Sequence, residues 1–348
     1  MTVAKRIMAT GQGLQKEGVM EAGFSEKIVI SASRRSDIPA FYMDWFMEGI
    51  DRGHFKVKNP ISGQVMTVQA TPDKVHTIVF WSKNYGPFLD GGYGQELRRR
   101  GFHLFFHFTI NSEDPVLEPC IPSLDERLEQ ARALIREFWV ISWRFDPICF
   151  YKDKEKDRGA VREEDRGEGE AEYRAEYRAE DREEGKWKDT DSAGMVYNNL
   201  QDFSRIAEAM GRLGVTRCVT SFMDDYSKIR QRIRRRPGFT FIYPGLQEQI
   251  EILLRMEKTL AALSIDLYTC CEKAILSSLP THSRIRANSC IPNDLLQKFF
   301  GGHISLRSDY GQRHRDGCGC KVSRDIGSYR DQPCHHHCLY CYANPASR

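Results

Sequence analysis

Six short apolar runs, each followed by a helix-like stretch, constrain this chain more than any other feature. The runs are Ile28–Ala32, Thr77–Trp81, Leu104–Thr109, Val140–Phe145, Arg217–Phe222 and Ile265–Cys270, all rich in β-branched or aromatic residues. Between them, apolar residues at helical spacing predict helices over Ala40–Asp51, Leu124–Phe138, Leu200–Leu213, Ser227–Arg234 and Gln247–Leu263. Strand and helix in repeated alternation argue for a parallel α/β architecture with right-handed crossovers. Six such units can form an open doubly wound sheet or curl into a barrel. The expected fold is α/β, a partial TIM-like (β/α)6 barrel with a C-terminal cysteine-rich cluster-binding segment. The expected boundaries are a flexible tail over 1–26, the barrel over 27–151 and 192–300, and the cysteine-rich segment over 301–348.

One block interrupts the rhythm. Residues 152–191 contain AEYRAEYRAEDREE and almost no apolar side chains, so they cannot bury enough surface to fold alone and read as a charged low-complexity insertion. The block holds 11 Lys/Arg against 16 Asp/Glu, so the chain's formal charge of +3 conceals −5 here and +8 elsewhere. A mildly basic body is compatible with an anionic partner without requiring one.

Polar residues recur where the strand-like runs end. Arg34, Arg35 and Asp37 follow the first run, and Ser82, Lys83 and Asn84 the second. Asn111 follows the third, Arg144 and Asp146 close the fourth, Asp224 and Asp225 follow the fifth, and Cys270, Cys271 and Glu272 follow the sixth. Carboxyl ends of parallel strands converge on one rim, where ligands bind, so these residues predict one polar pocket. Asp37, just before Pro39 and an apolar stretch, is also placed to cap a helix.

The chain has 11 cysteines, five of them within residues 318–341. The first 27 residues contain no apolar signal segment, and no apolar run is long enough to span a membrane, which predicts a reducing cytoplasm. There, clustered cysteines read as metal ligands or redox groups. Cys334, Cys338 and Cys341 form a C-x3-C-x2-C run with Tyr340 before the last. Three thiolates on one loop can hold three irons of a [4Fe–4S] cluster and leave the fourth iron open to a small molecule. Cys318, Cys320, Cys270 and Cys290 are the candidates for a second, fully ligated centre. Cys120, Cys149 and Cys218 stand alone and read as small buried hydrophobes.

The C-x3-C-x2-C spacing resembles the fingerprint of the radical S-adenosylmethionine enzymes, although those usually carry it after their first barrel strand. The resemblance implies S-adenosylmethionine as cosubstrate and an electron donor such as a ferredoxin or flavodoxin. Six ordered segments also resemble one prokaryotic family, the domain of unknown function 1848: SASRRSDIPAFYMDWF, IVFWSKN, SWRFDPI, SFMDDYSKIRQRI, TCCEKA and the tail CGCKVSRDIGSYRDQPCHHHCLYCYANP. RFDP at 144–147 is also similar to a segment of the spore photoproduct lyases. On this reading Arg34, Asp37, Lys83, Arg144, Asp146 and Glu272 are candidate catalytic residues. Arg35, Ser82, Asn84 and Tyr340 are candidates for binding the cofactor.

Other readings stay open. His335, His336, His337 and the clustered cysteines also suit a structural zinc site, or the cysteines an electron-transfer iron–sulfur centre, in a non-catalytic binding protein. RQRIRRR at 230–236 can contact nucleic-acid phosphates or be the solvated face of a helix. The substrate can be a nucleic acid, a peptide or a small metabolite. A hydrolase has no G-x-S-x-G nucleophile motif to rest on.

Overall fold

The computed structural model describes residues 26–59, 62–138, 141–157, 195–313 and 316–343. The expected tail, apart from Glu26, and most of the charged insertion lie outside them. All six predicted runs are strands, and all run parallel: β1 (Ile28–Ala32), β4 (Val75–Ser82), β5 (His103–Thr109), β6 (Ile141–Arg144), β9 (Arg217–Thr220) and β11 (Asp266–Thr269). Two more pairs of residues extend this sheet, β12 (Arg286–Ala287) beside β11 and β13 (Arg324–Asp325) beside β1. The result is one eight-stranded sheet in the order β12-β11-β9-β6-β5-β4-β1-β13.

The order corrects the expected six strands to eight. β12 and β13 stand at the two edges of the sheet and are not paired with each other, so the described strands do not close into a ring. Near them the chain is joined instead by Lys321 N–H donating to Ile291 O (3.0 Å) and the Asn293 amide donating to Val322 O (3.1 Å). Two-residue strands offer too few ladder groups for a longer seam. One consequence matters for function: the cysteine-rich segment enters the sheet beside the first strand.

Both faces of the sheet are buried, as parallel strands require. Ile30, Ile78, Phe80, Phe106 and Phe108 point one way, into a core shared with Phe46, Phe88 and Leu134 from the helices. Val29, Val79 and Phe105 point the other way, against Ile291, Leu296 and Ile304. Each large side chain buried here contributes about 1.5–3 kcal/mol relative to exposure.

The remaining strands form small accessory sheets. β2 (His54–Lys58) and β3 (Val65–Gln69) form a hairpin, with Phe55 and Val57 buried between exposed lysines. β7 (Phe150–Asp153) is flanked by β8 (Tyr197–Asn198) and β10 (Phe239–Ile242). This second sheet backs the C-terminal cysteine loop, since Tyr151, Phe239 and Phe241 pack in one cluster with Cys338 and Tyr340. The helix expected over 40–51 is two helices, Ile38–Phe41 and Met43–Asp51. The break falls at Tyr42, which leaves helical geometry and donates its hydroxyl to Pro333 O (2.6 Å).

Candidate functional site

The carboxyl ends of β1, β4, β5, β6, β9 and β11 surround one cavity of about 310 Å³. Ser33, Arg34, Ser36 and Asp37 line it after β1, Ser82 and Lys83 at the end of β4, and Arg144 and Asp146 at the end of β6. Cysteines enter it in two groups. Cys334, Cys338 and Cys341 come from the C-terminal loop; Cys270, Cys271, Cys290, Cys318 and Cys320 come from three separate segments. No two of the 11 cysteines are joined by a disulfide.

The C-terminal loop is held from several sides. Leu339 N–H donates to Leu117 O (2.9 Å), and Cys341 N–H turns back to Cys338 O (3.2 Å). Arg232 donates to Leu339 O (2.6 Å), Cys341 O (3.1 Å) and Cys338 O (3.4 Å), so one guanidinium gathers three carbonyls of the loop. His337 adopts φ 56°, a left-handed conformation uncommon outside glycine. His336 bridges the loop to β1: Nε2 lies 2.7 Å from Asp37 Oδ2 and Nδ1 lies 3.2 Å from Cys120 O. Both ring nitrogens are therefore engaged by oxygen atoms, which removes His336 from the candidate zinc ligands. Asp37 is equally occupied. Its Oδ1 caps the helix at Ala40 N (3.0 Å), and its Oδ2 accepts from Ser82 Oγ and Lys83 N (both 2.9 Å).

A buried ion pair lies beneath the loop. Lys83 Nζ donates to Glu118 Oε1 (2.8 Å), which also accepts from Tyr340 and from the Asn111 amide (2.7 Å). Burial opposes the charge on both partners, but each outweighs it for the other, so Lys83 is raised and Glu118 lowered. Burial pushes the Cys334 thiol up to about 12 and drives Cys338 well above its ordinary value, with Lys83 opposing the latter shift. These thiols would need a bound metal to become thiolates at neutral pH.

The second group forms a run of touching sulfurs. Cys270 Sγ lies 3.4 Å from Cys290 Sγ and 3.8 Å from Cys271 Sγ. Cys318 stands near both Cys271 and Cys320, which act on its thiol in opposite senses, Cys271 raising it and Cys320 lowering it. Arg144 reaches Cys290 Sγ (3.3 Å) and donates to Asp146 (2.6 Å). Burial works against the Arg144 charge, but Asp146 and the sulfurs of Cys290 and Cys270 outweigh it. Arg34 lies against Cys320 and over the Trp81 ring (5.6 Å). Arg313 pairs with Asp224 beside Cys271. Hydrogen bonds from Cys270 and Cys318 pull Cys271 down to about 4. Among the described residues, no three or more His, Cys, Asp or Glu side chains are grouped as they would be around a metal ion.

The structure therefore gathers all seven predicted cysteines, together with Arg34, Asp37, Ser82, Lys83, Arg144, Asp146 and Tyr340, on one cavity. Glu272 stands beside its wall, accepting from Phe222 N (2.8 Å), and desolvation followed by Asp224 and Asp146 raises it to about 7. Two predicted cofactor-binding residues are committed elsewhere. Arg35 donates to Gly327 O (3.1 Å), and the Asn84 amide oxygen accepts from Gly86 N and Gln130. Cys149 and Cys218 are buried as expected, but Cys120 is exposed and offers only its carbonyl, to His336. The basic run at 230–236 matches neither sequence reading fully, because Arg232 serves the loop, while Arg236 and Arg230 pair with Asp153 and Asp225.

Sequence reasoning missed Glu118, Arg232 and Arg313 as parts of the site, and left Cys271 out of the ligand set. Only Cys271 had a local signal, as the second half of a Cys-Cys pair at a strand end.

Comparison with known proteins gives a family and little more. No curated protein matches the chain. Among solved structures, a D-hydantoinase crystal structure and the D-hydantoinase of Bacillus sp. AR9 are similar at 12% identity and a TM-score of 0.26. The matches cover 63% and 62% of this chain and 40% of each of those chains, and so weak a likeness carries no argument about activity. No described helix is long and apolar enough to cross a membrane. The model of one family matches residues 29–162 and 191–343, stepping over most of the charged block, and the chain belongs to that family, the Domain of unknown function (DUF1848).

Proposed function

We propose that the protein is an iron–sulfur enzyme of the radical S-adenosylmethionine type. Its cluster would be held by Cys334, Cys338 and Cys341. One observation carries the reading: the three thiols of a C-x3-C-x2-C loop all open into the cavity formed by the carboxyl ends of the parallel strands. The donor set fits, being three soft thiols with no imidazole committed to the same point and a buried lysine to offset their charge. When bound, a [4Fe–4S] cluster with an open iron supplies one-electron reductive cleavage of S-adenosylmethionine, a chemistry that belongs to the cofactor.

The chain's own residues bind, orient and exclude water. Arg232, His336 and Tyr42 fix the loop against the barrel, and Tyr340 and Lys83 seal it from below. Arg34, Arg144 and Asp146 present charge to a carboxylate, an ammonium or a substrate group entering the cavity. Trp81, Tyr226 and Tyr342 supply aromatic surface. Nucleic acid, peptide and small metabolite all stay candidate substrates. A ferredoxin or flavodoxin in a reducing cytoplasm supplies the electron.

The test is anaerobic reconstitution with iron and sulfide, then dithionite and S-adenosylmethionine. The reading requires 5′-deoxyadenosine from the native chain and none from Cys338→Ala. A colourless protein with stoichiometric zinc and no nucleoside product would sink it in favour of a structural zinc protein.

A further inference from the structure

On the far wall of the cavity, five thiols stand within reach of one another with no role in the reaction just described. We infer that Cys270, Cys271, Cys290, Cys318 and Cys320 hold a second thiolate-bound metal centre, facing the C-terminal loop across the same cavity. The inference rests on the proposed function only in placing the substrate between the two centres; the second site stands on its own geometry.

Four observations carry it. First, Cys270 Sγ lies 3.4 Å from Cys290 Sγ and 3.8 Å from Cys271 Sγ, and Cys318 is near enough to Cys271 and Cys320 for both to act on its thiol. Around a tetrahedral ion with metal–sulfur bonds of about 2.3 Å, ligand sulfurs sit roughly 3.8 Å apart. Second, five thiols unjoined by disulfides are drawn together from positions up to 50 residues apart. Third, three guanidinium groups surround them, which suits a centre that concentrates negative charge away from water. Arg34 lies against Cys320 and Cys290, and its Nη2 is buried with no hydrogen-bond partner among the described residues, while Nη1 reaches Ser323 Oγ (3.4 Å) and Asp325 lies nearby. Fourth, Cys271 holds φ 64°, a conformation costly for a residue with a Cβ; such strain persists where a function over-determines it. It brings Cys271 into the wall beside Cys270.

Apolar packing completes the setting. Cys290, Cys318 and Cys320 pack with Val29, Val79, Phe105, Ile291 and Leu296, a water-excluding shell of the kind that tunes thiolate metal sites. Sulfurs this close suit a single tetrahedral ion, which takes four thiolates, so the fifth is either a spare or an alternative ligand. The segment 286–325 that carries three of them has short ladder pairing with the sheet, two two-residue strands and one bridge, and a metal would bind its turns together.

The test is metal and acid-labile sulfide analysis of the full chain purified without oxygen, beside two variants. Cys334→Ser/Cys338→Ser/Cys341→Ser should keep the second centre, read as about one zinc or one iron per chain without sulfide. Cys271→Ser/Cys318→Ser should lose that portion and keep the first. Should either variant fail to fold, per-cysteine alkylation of the native chain gives the same answer. Cys271 and Cys318 should resist labelling until a chelator is added, whereas exposed Cys120 labels at once. A folded triple variant free of metal, or equal labelling of Cys120, Cys271 and Cys318 before chelation, overturns the second centre and leaves the first intact. A triple variant that loses no metal supports the second centre and removes the first.

Discussion

The two cysteine groups reach one cavity by opposite routes. Cys334, Cys338 and Cys341 belong to a single eight-residue loop whose spacing is written in the sequence. Cys270, Cys271, Cys290, Cys318 and Cys320 lie on three segments that meet only after the sheet has formed. The first is a loop docked on a finished sheet, held by Arg232, His336 and Tyr42. The second is part of how the C-terminal third folds, since it joins the end of β11 to the turns on either side of β12 and β13. Losing the first should therefore cost activity, and losing the second should cost stability as well.

The largest effect expected is functional. Cys338→Ala should abolish 5′-deoxyadenosine formation while leaving the thermal unfolding of the α/β fold nearly unchanged. Collapse of the fold in this variant would break the distinction between docked loop and built-in site.

Glu118→Gln comes next, because it leaves Lys83 charged and uncompensated beneath the loop. The expected loss is about 3–5 kcal/mol in urea titration at neutral pH. Glu118 is lowered in the folded state, so its contribution is present above the unfolded carboxylate value, about 4.3, and is lost as pH falls through the lower folded value. The gap between native and variant should accordingly narrow on acidification. A gap that widens would contradict the assigned sign.

Chelation sharpens the comparison from the other side. A metal bridging Cys271, Cys290 and Cys318 closes loops of roughly 20 and 30 residues, each worth about 3 kcal/mol by the chain-entropy argument used for disulfides. Chelator added to the Cys334→Ser/Cys338→Ser/Cys341→Ser chain should lower its urea midpoint. Added to Cys271→Ser/Cys318→Ser it should do so much less.

Arg232→Met removes the donors to three loop carbonyls and should cost about 2 kcal/mol, with faster loss of metal from the loop and none from the second group. Equal loss from both groups would mean that the loop is not independently held. Cys120→Ser, an exposed position, should shift stability by less than about 0.5 kcal/mol and leave metal content unchanged.

What could be read in the sequence follows the same divide between local and distant. The six parallel strands were legible because each is a compact apolar run, and β1 and the helix Leu124–Phe138 fall where periodicity predicts them. The β2–β3 hairpin shows alternation in HFKVK, but its short strands compete with the helix pattern ending at Asp51. β12 and β13 have two residues each, too few for any pattern to register. In the site, the cysteine loop was legible from spacing alone. Arg232 was not, because nothing in RQRIRRR says which arginine faces a loop over 100 residues away. The pairing of His336 with Asp37 was equally hidden, since three consecutive histidines look like ligands until one is seen engaged by a carboxylate. Cys271 illustrates the intermediate case. Its neighbour drew attention, but only the left-handed backbone at φ 64° shows that both sulfurs of the pair serve the same wall.

The most direct test of the central claim is electron paramagnetic resonance of the dithionite-reduced, anaerobically purified chain, with and without S-adenosylmethionine. An open iron held by Cys334, Cys338 and Cys341 predicts a cluster signal that changes when S-adenosylmethionine is added, and a Cys338→Ala spectrum that no longer responds. A signal indifferent to S-adenosylmethionine in the native chain, or no paramagnetic cluster at all, would contradict it.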